Sequence, residues 1–144
     1  MKKVKRWVSA VLSLALATAL LAGCAPNPES PLDSNHSAAS YQTISPQAAK
    51  ERIDSGDAIV LLDVRTQSEY EEKHIPGAIL IPNETIGETP LEQLPDLDAE
   101  ILIYCRSGNR SAQAAKKLAA AGYTNVSDFG GIRDWPYETV SGKE

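Results

Sequence analysis

Three short runs of hydrophobic residues stand out along the second part of the chain. They cover residues 58–64, 78–81 and 101–104 and are almost entirely apolar, which is typical of strands that are buried on both faces. A last strand is predicted at 125–129, whereas the polar, proline-punctuated residues 82–99 predict a loop with one short helix. Since amphipathic helical patterns separate the apolar runs, the sequence predicts β-α units around a mostly parallel sheet.

Capping residues predict where the helices of these units begin. Ser45 followed by Pro46 provides a favourable N-cap and first helical residue. Thr66 and Glu69 have the spacing of a capping box and predict a second, short helix. A third, alanine-rich helix is expected over about 111–121, directly after the third apolar run and a tight loop.

The amino-terminal residues have a different pattern. Four basic residues within the first six positions precede an uncharged run at 7–23, the arrangement of a secretory signal peptide. The apolar stretch from Trp7 to Ala22 is shorter than the roughly 20 residues that a membrane-spanning helix needs. We therefore predict a signal peptide at residues 1–23, with a short or tilted membrane anchor as the alternative.

The end of this run resembles the lipobox of bacterial lipoproteins, in which small residues precede a cysteine that receives a diacylglyceryl group. Leu21-Ala22-Gly23-Cys24 is the matching segment. The resemblance implies lipidation of Cys24 and anchoring to the extracytoplasmic side of a membrane in the bacterial cell envelope. Residues 24–40 contain three prolines and predict a flexible tether. The alternative is an ordinary signal peptide with an incidental cysteine.

The length of the remaining segment, residues 41–144, predicts a single domain. Its composition excludes several classes of partner and site. Without residues 1–23 the chain has ten basic and nineteen acidic residues, a formal net charge of −9. Nucleic acid and bare anionic lipid are therefore unfavourable partners. The two cysteines cannot form a disulfide framework or a four-cysteine zinc site within one chain. We also expect a monomer.

The chemistry is predicted at the end of the third apolar run, where Cys105 begins the segment CRSGNRS. Backbone N–H groups of a turn at Gly108 and the amino end of the following helix would form a cradle for an anion. The same donors would stabilise a thiolate and lower the pKa of Cys105 below about 8.5. Arg106 and Arg110 add positive charge. The alternative is a buried, structural thiol.

Three motifs in this domain resemble those of rhodanese domains and occur in the same order over about residues 42–140. They are DVR at 63–65 with EY at 69–70 and HIPGA at 74–78, the loop CRSGNRS at 105–111, and the glycine pair at 130–131 followed by Trp135. The resemblance implies an α/β fold with a five-stranded parallel sheet and helices on both faces.

The resemblance also implies a sulfurtransferase reaction. In this family the cysteine attacks the outer sulfur of thiosulfate or another sulfane donor, releases sulfite, and holds the sulfur as a persulfide until cyanide or a thiol accepts it. By motif position Cys105 is this nucleophile and Arg106 binds the sulfonate of the donor. The backbone amides that would cradle the sulfur belong to Ser107, Gly108, Asn109 and Arg110. The resemblance then implies a small sulfur-donor anion and a thiol or cyanide as substrates, with no need for a metal or an organic cofactor.

Two other functions remain open at the level of sequence. Phosphatases and some arsenate reductases with a rhodanese fold resemble one another in a seven-position Cys-x5-Arg loop. The loop from Cys105 to Arg110 has six positions and favours sulfur over phosphate or arsenate. A rhodanese module that only binds a partner at the membrane surface is the second alternative.

Three polar residues of the first motif are predicted to support the site rather than to react. Asp63 is expected to pair with Arg65 or Arg110, and Glu69 to orient an arginine. Arg110 is expected either to contact the substrate or to fix the loop by pairing with an acid.

Overall fold

The computed structural model describes residues 40–143, so the predictions for the signal peptide, for Cys24 and for the tether up to residue 39 lie outside the described residues. The described part contains five strands, three α-helices and two single-turn 3-10 helices. In chain order they are β1 (Gln42–Thr43), α1 (Pro46–Asp54), β2 (Ile59–Asp63), α2 (Gln67–Glu72), β3 (Ile79–Leu80), a 3-10 helix (Asn83–Thr85), β4 (Glu100–Cys105), α3 (Asn109–Ala120), β5 (Val126–Gly131) and a second 3-10 helix (Ile132–Asp134).

The strands form one sheet in the order β1-β5-β4-β2-β3, and every neighbouring pair is parallel. The central strand β4 pairs with β2, with Asp63 opposite Tyr104 at their carboxyl ends. In an open parallel sheet, crossover helices leave a crevice at these ends, and ligands bind there. The predicted five-stranded parallel sheet is confirmed.

Helices cover both faces of the sheet, as predicted. On one face Leu118 of α3 packs with Ile103 of β4 in a cluster of buried residues. On the other face Ala49 of α1 and Tyr70 of α2 pack with Leu102 of β4. Because neighbouring residues of β4 point to opposite faces, the central strand must be apolar on both.

Local signals place the helix starts well. The Ser45 hydroxyl accepts a hydrogen bond from the N–H of Ala48 at the start of α1. Thr66 and Glu69 form the complete capping box of α2. The third helix begins at Asn109, two residues earlier than expected, because Gly108 adopts a left-handed conformation and ends the turn.

The helices of the described residues can also be compared with a membrane-spanning helix. Within residues 40–143, none of the helices has the length and apolar character that crossing a bilayer would require.

Candidate active site

Cys105 is the last residue of β4, and its side chain is almost completely buried, with 1% exposure. The chain turns sharply after it, and the N–H of Gly108 points back to the Cys105 sulfur at 3.1 Å. Gly108 has a φ of 93°, a backbone conformation that residues with a Cβ rarely adopt. The turn and the amino end of the twelve-residue helix α3 therefore surround the sulfur with hydrogen-bond donors.

This donor set determines the ionisation of the thiol. Burial by itself raises the pKa of Cys105, but hydrogen bonds from the side chain and N–H of Ser111 and from the N–H groups of Ser107 and Gly108 outweigh burial, so the pKa is lowered. Ser111 is fully buried, and its hydroxyl also lies 3.1 Å from the carbonyl oxygen of Gly108. Sequence reasoning identified residue 111 only as a helix start; its position six residues after the cysteine was the available signal.

Gly131 at the end of β5 packs closely against the backbone of the cysteine loop. A Cβ at this position would lie 2.5 Å from the carbonyl oxygen of Arg106 and 2.7 Å from the Cα of Ser107, both backbone atoms that cannot move aside without displacing the loop. The sequence marked the glycine pair as part of a motif but gave no contact for it. The structure assigns Gly131 the role of letting β5 approach the loop closely.

Asp63 and Arg65 form a buried ion pair at the end of β2. The shortest contact joins Nη2 of Arg65 to Oδ2 of Asp63 at 2.5 Å, and the two side chains are 4% and 0% exposed. The same nitrogen donates to the carbonyl oxygen of Lys73 at 2.6 Å. Through these two contacts Arg65 links β2 of the sheet to the residue that follows α2.

Glu69 and Arg110 form a second, partly exposed ion pair. Two guanidinium nitrogens of Arg110 lie 2.7 and 2.9 Å from the two carboxylate oxygens of Glu69. This guanidinium is the main reason that the pKa of Glu69 falls to about 2. The pair joins the first turn of α3 to α2, the arrangement expected if Arg110 fixes the loop.

The remaining loop side chains face outward. Arg106 and Ser107 are exposed, and Asn109 accepts a hydrogen bond from Gln113 on its own helix at 2.6 Å. Arg106 lines a cleft of about 280 Å³ next to the cysteine loop. Its lining residues are Arg65, Glu69, Glu72, Lys73, Arg106, Ile132 and Arg133. The residue that directly follows Cys105 thus contributes a cation to a cleft with several positive side chains, an environment that suits an anionic sulfur compound.

His74, which also belongs to the first motif, is held by contacts with Tyr70 and Val140. It is fully buried, stacks on the ring of Tyr70 at 3.8 Å between centroids, and has Nδ1 2.9 Å from the carbonyl oxygen of Tyr70. Its backbone forms an antiparallel bridge with Val140. In the part of the chain that the structure describes, no group of three or more histidine, cysteine or acidic side chains could hold a metal ion.

Comparison with known proteins agrees with this geometry. Residues 45–137, well over half of the chain, match the family model described as the rhodanese-like domain. Thiosulfate sulfurtransferase PspE of Escherichia coli (strain K12) is 36% identical over 81 residues, which cover 56% of this chain and 78% of PspE. A solved structure described as rhodanese with anions from E. coli matches with a TM-score of 0.55 and 35% identity, covering 59% of this chain and 100% of that one.

Some relatives are longer than the matched domain. YrkF of Bacillus subtilis (strain 168) is 39% identical over 109 residues, which cover 74% of this chain but 57% of YrkF. The chain therefore spans little more than half the length of that relative.

Proposed function

The chain belongs to the rhodanese-like domain family, whose relatives support a sulfurtransferase activity, and on this premise we propose that it transfers a sulfane sulfur from thiosulfate or a similar donor to a thiol or cyanide through a persulfide on Cys105. One observation carries the proposal. The buried Cys105 sulfur lies 3.1 Å from the N–H of Gly108, in a loop whose donors lower the pKa of the thiol.

In the first step the Cys105 thiolate attacks the outer sulfur of thiosulfate. A bond forms between the Cys105 sulfur and the outer sulfur, and the S–S bond of thiosulfate breaks, so that sulfite leaves with the electron pair. The outer, terminal sulfur of the persulfide then carries the negative charge, which the loop N–H groups stabilise. Arg106, which is exposed at the cleft, binds the sulfonate group of the donor in this proposal.

In the second step an acceptor thiolate or cyanide attacks the terminal sulfur of the persulfide. The bond between this sulfur and Cys105 breaks, and its electron pair returns to the Cys105 sulfur. The thiolate is regenerated in the same cradle. No net proton transfer is needed in either half-reaction, which agrees with a site built from N–H donors and cations rather than from a general base.

The experiment is a mass measurement on the full-length chain. Thiosulfate should add one sulfur, about 32 mass units, at Cys105, and cyanide should remove it. Cys105→Ser should keep the fold and take up no sulfur, because a hydroxyl is a far weaker nucleophile than a thiolate. A folded protein with accessible Cys105 that takes no sulfur would favour a module that only binds a partner. Turnover of an aryl phosphate above the Cys105→Ser background, without sulfur uptake, would favour a phosphatase.

For the amino-terminal residues we propose export and lipid anchoring at Cys24 on the extracytoplasmic side of a bacterial membrane. The basic start, the 16-residue apolar stretch and the Leu-Ala-Gly-Cys segment support it. Mass spectrometry of the membrane fraction should find a mature chain that begins at an acylated Cys24. An intact Met1 or a free thiol at residue 24 would contradict this proposal and leave the sulfurtransferase proposal unaffected.

A further inference from the structure

Asp128 on β5 is a buried carboxylate without a cationic partner. It is 5% exposed, and none of the ion pairs within 4.0 Å among residues 40–143 includes it. A buried charge is costly unless nearby groups bond to it. The Oδ1 atom of Asp128 accepts a hydrogen bond from the N–H of Gly130 at 2.9 Å. The carboxylate therefore depends on neutral donors.

The strand register brings Asp128 to the same face of the sheet as the reactive cysteine. Ile103 and Cys105 of β4 and Val126 of β5 belong to one cluster of buried residues, which α3 covers. Asp128 lies two residues after Val126 and pairs with Ile103. Because residues two positions apart on a strand share a face, Asp128 lies on the side of β5 that faces α3. The carboxylate and the reactive sulfur are thus on the same side of neighbouring strands.

Ser111 in the first turn of α3 connects the two groups. Its fully buried hydroxyl forms hydrogen bonds with the Cys105 thiolate and with the Asp128 carboxylate. It also lies 3.1 Å from the carbonyl oxygen of Gly108 and 3.3 Å from that of Gly130. A hydroxyl has only one proton to donate, and a charged acceptor forms the stronger hydrogen bond. The two anions therefore compete for the proton of Ser111.

Within the described part of the chain, no charged side chain acts on the Asp128 carboxylate. Burial raises the pKa of Asp128, and the hydrogen bonds from the N–H of Gly130 and the hydroxyl of Ser111 offset part of this rise. The residues that pair with Asp128 are the uncharged Thr43 on β1 and Ile103 on β4. Burial and these two donors therefore determine the ionisation of Asp128.

The thiolate, in contrast, has a cation near it. Arg110 on α3 interacts electrostatically with Cys105 and with Glu84, and it is bonded through two nitrogens to Glu69. None of these contacts involves Asp128. A substitution at Asp128 therefore leaves the charges around Arg110 as they are.

We propose that Asp128 is a positioning residue for the reactive cysteine, whose ionised carboxylate competes with the Cys105 thiolate for the hydroxyl proton of Ser111 and so limits how far the thiolate is stabilised. A less stabilised thiolate is the stronger nucleophile, because the nucleophilicity of a thiolate rises with its pKa. The same carboxylate holds the N–H of Gly130, next to the glycine that packs against the loop.

The competition favours the loaded cysteine, a consequence that rests on the proposed function. When the outer sulfur of the donor bonds to Cys105, the negative charge moves to the terminal sulfur and the Cys105 sulfur becomes neutral. Asp128 is then the stronger acceptor for the Ser111 hydroxyl. The hydroxyl turns from the sulfur to the carboxylate, and no proton is transferred.

The test compares Asp128→Asn with the control Asp134→Asn in the full-length chain. Asparagine keeps an oxygen for the N–H of Gly130 but carries no charge. Asp134 is an exposed carboxylate on the 3-10 helix after β5. Alkylation of Cys105 by iodoacetamide is followed against pH by peptide mass spectrometry. The midpoint should fall by about 0.5–1 pH unit in Asp128→Asn, because a competing anion is lost, and should stay at the wild-type value in Asp134→Asn.

A purely structural role of Asp128 would give the opposite sign. Loosening the turn at Gly130 would take donors away from the Cys105 sulfur and raise the midpoint toward about 8.5. An unchanged or raised midpoint in folded Asp128→Asn would therefore overturn the proposal. If Asp128→Asn does not fold, Asp128→Ser replaces it, since a serine hydroxyl can accept the same N–H. This variant should also lower the midpoint.

Ser111→Ala tests the route of the effect. Alone, it should raise the midpoint, because the thiolate loses a donor. Adding Asp128→Asn to Ser111→Ala should then change the midpoint by less than about 0.2 pH unit, the coupling expected of two residues that act through one hydrogen bond. A full shift in the double variant would show that Asp128 acts on the thiolate without Ser111 and would overturn this route.

Sulfur loading from thiosulfate provides a second readout. At a pH above both midpoints, the loading rate constant of Asp128→Asn should be about two- to threefold below that of the wild-type protein, given a Brønsted slope of about 0.4–0.5. An equal rate constant would overturn the effect on nucleophilicity. A wild-type protein that takes up no sulfur would refute the proposed function, whereas the alkylation midpoints would still decide the role of Asp128.

Discussion

The carboxyl ends of β2 and β4 lie side by side in the sheet, yet the arginine at one end is buried in an ion pair and the arginine at the other is exposed. At the end of β2, Asp63 and Arg65 are buried and bonded to each other, and Arg65 donates also to the chain at Lys73. At the end of β4, the Cys105 sulfur accepts N–H donors from a loop, and Arg106 is exposed to a cleft. Both ends lie at the ligand-binding edge, but the polar groups at the end of β2 pair with each other, whereas the loop after β4 presents Arg106 to the cleft.

The largest effect is expected from breaking the pair at the end of β2. Asp63→Ala leaves the Arg65 guanidinium buried without its counter-charge, which should lower the free energy of unfolding by about 3–5 kcal/mol. Denaturant unfolding measures this change. Asp57→Ala removes an exposed carboxylate that pairs with Arg52 and should cost about 1 kcal/mol or less. Equal stability of the two variants would show that the buried pair is not structural.

A substitution after the end of β4 should impair binding of the donor rather than stability. Arg106→Ala should leave the melting temperature nearly unchanged, because this side chain is exposed. Binding of thiosulfate should weaken by about 1.5–3 kcal/mol if Arg106 makes a charge-assisted hydrogen bond to the sulfonate. The dependence of the sulfur-loading rate on thiosulfate concentration measures it, with Lys116→Ala as the control. An unchanged dependence would remove Arg106 from donor binding.

A substitution at Gly131 tests whether close packing of β5 holds the cysteine loop in place. Gly131→Ala introduces a Cβ 2.5 Å from the Arg106 carbonyl oxygen, so the loop must shift. We expect a loss of about 1–3 kcal/mol in unfolding free energy and slower alkylation of Cys105. Gly87→Ala is the control, since the nearest atom to a Cβ there is 4.0 Å away. If the two variants alkylate at the same rate, close packing of β5 is not what holds the loop.

The smallest effect concerns the exposed pair between α2 and α3. Arg110 keeps the pKa of Glu69 near 2 in the folded protein, below the value of an unpaired glutamate, so this contribution is present above about pH 4.5 and is lost as the pH falls toward 2. Glu69→Gln should lower stability by about 1 kcal/mol at neutral pH. Its difference from the wild-type protein should shrink in acid, as measured by denaturant unfolding between pH 7 and 3.

Glu92→Gln, at a carboxylate in the loop before β4, is the control for this pH series. Its stability at pH 7 should stay within about 0.5 kcal/mol of the wild-type protein, because Glu92 is exposed and makes none of the ion pairs among residues 40–143. A Glu69→Gln deficit that is constant from pH 7 to 3 would contradict the link between stability and the ionisation of Glu69.

Most of the fold could be predicted because its signals are local. Ser45 with Pro46 and the capping box of Thr66 and Glu69 lie within four residues of the helix starts they define. By contrast, β1 was not predicted, because Gln42 and Thr43 form a short, polar edge strand without an apolar run. Its pairing with β5 depends on residues more than 80 positions away.

In the candidate site, too, the features with local signals could be predicted and those that depend on long-range contacts could not. The position of Cys105 followed from the end of an apolar strand and the loop sequence after it. The choice of partners could not be predicted, because Asp63 had two arginines available and Glu69 meets Arg110 across 41 positions. The cleft brings Lys73 and Arg133 next to Arg106 from elements that are distant in sequence. Such juxtapositions require the tertiary structure.

The central claim is that the end of β4 holds a stabilised thiolate, and the pH dependence of Cys105 alkylation tests it most directly. Iodoacetamide labelling of the full-length chain, followed peptide by peptide with mass spectrometry and with Cys105→Ser as the blank, isolates this thiol from Cys24. The account predicts a rate whose midpoint lies below about 8.5, the value for a free cysteine. A midpoint at or above 8.5 would show that burial outweighs the loop donors and would contradict the account.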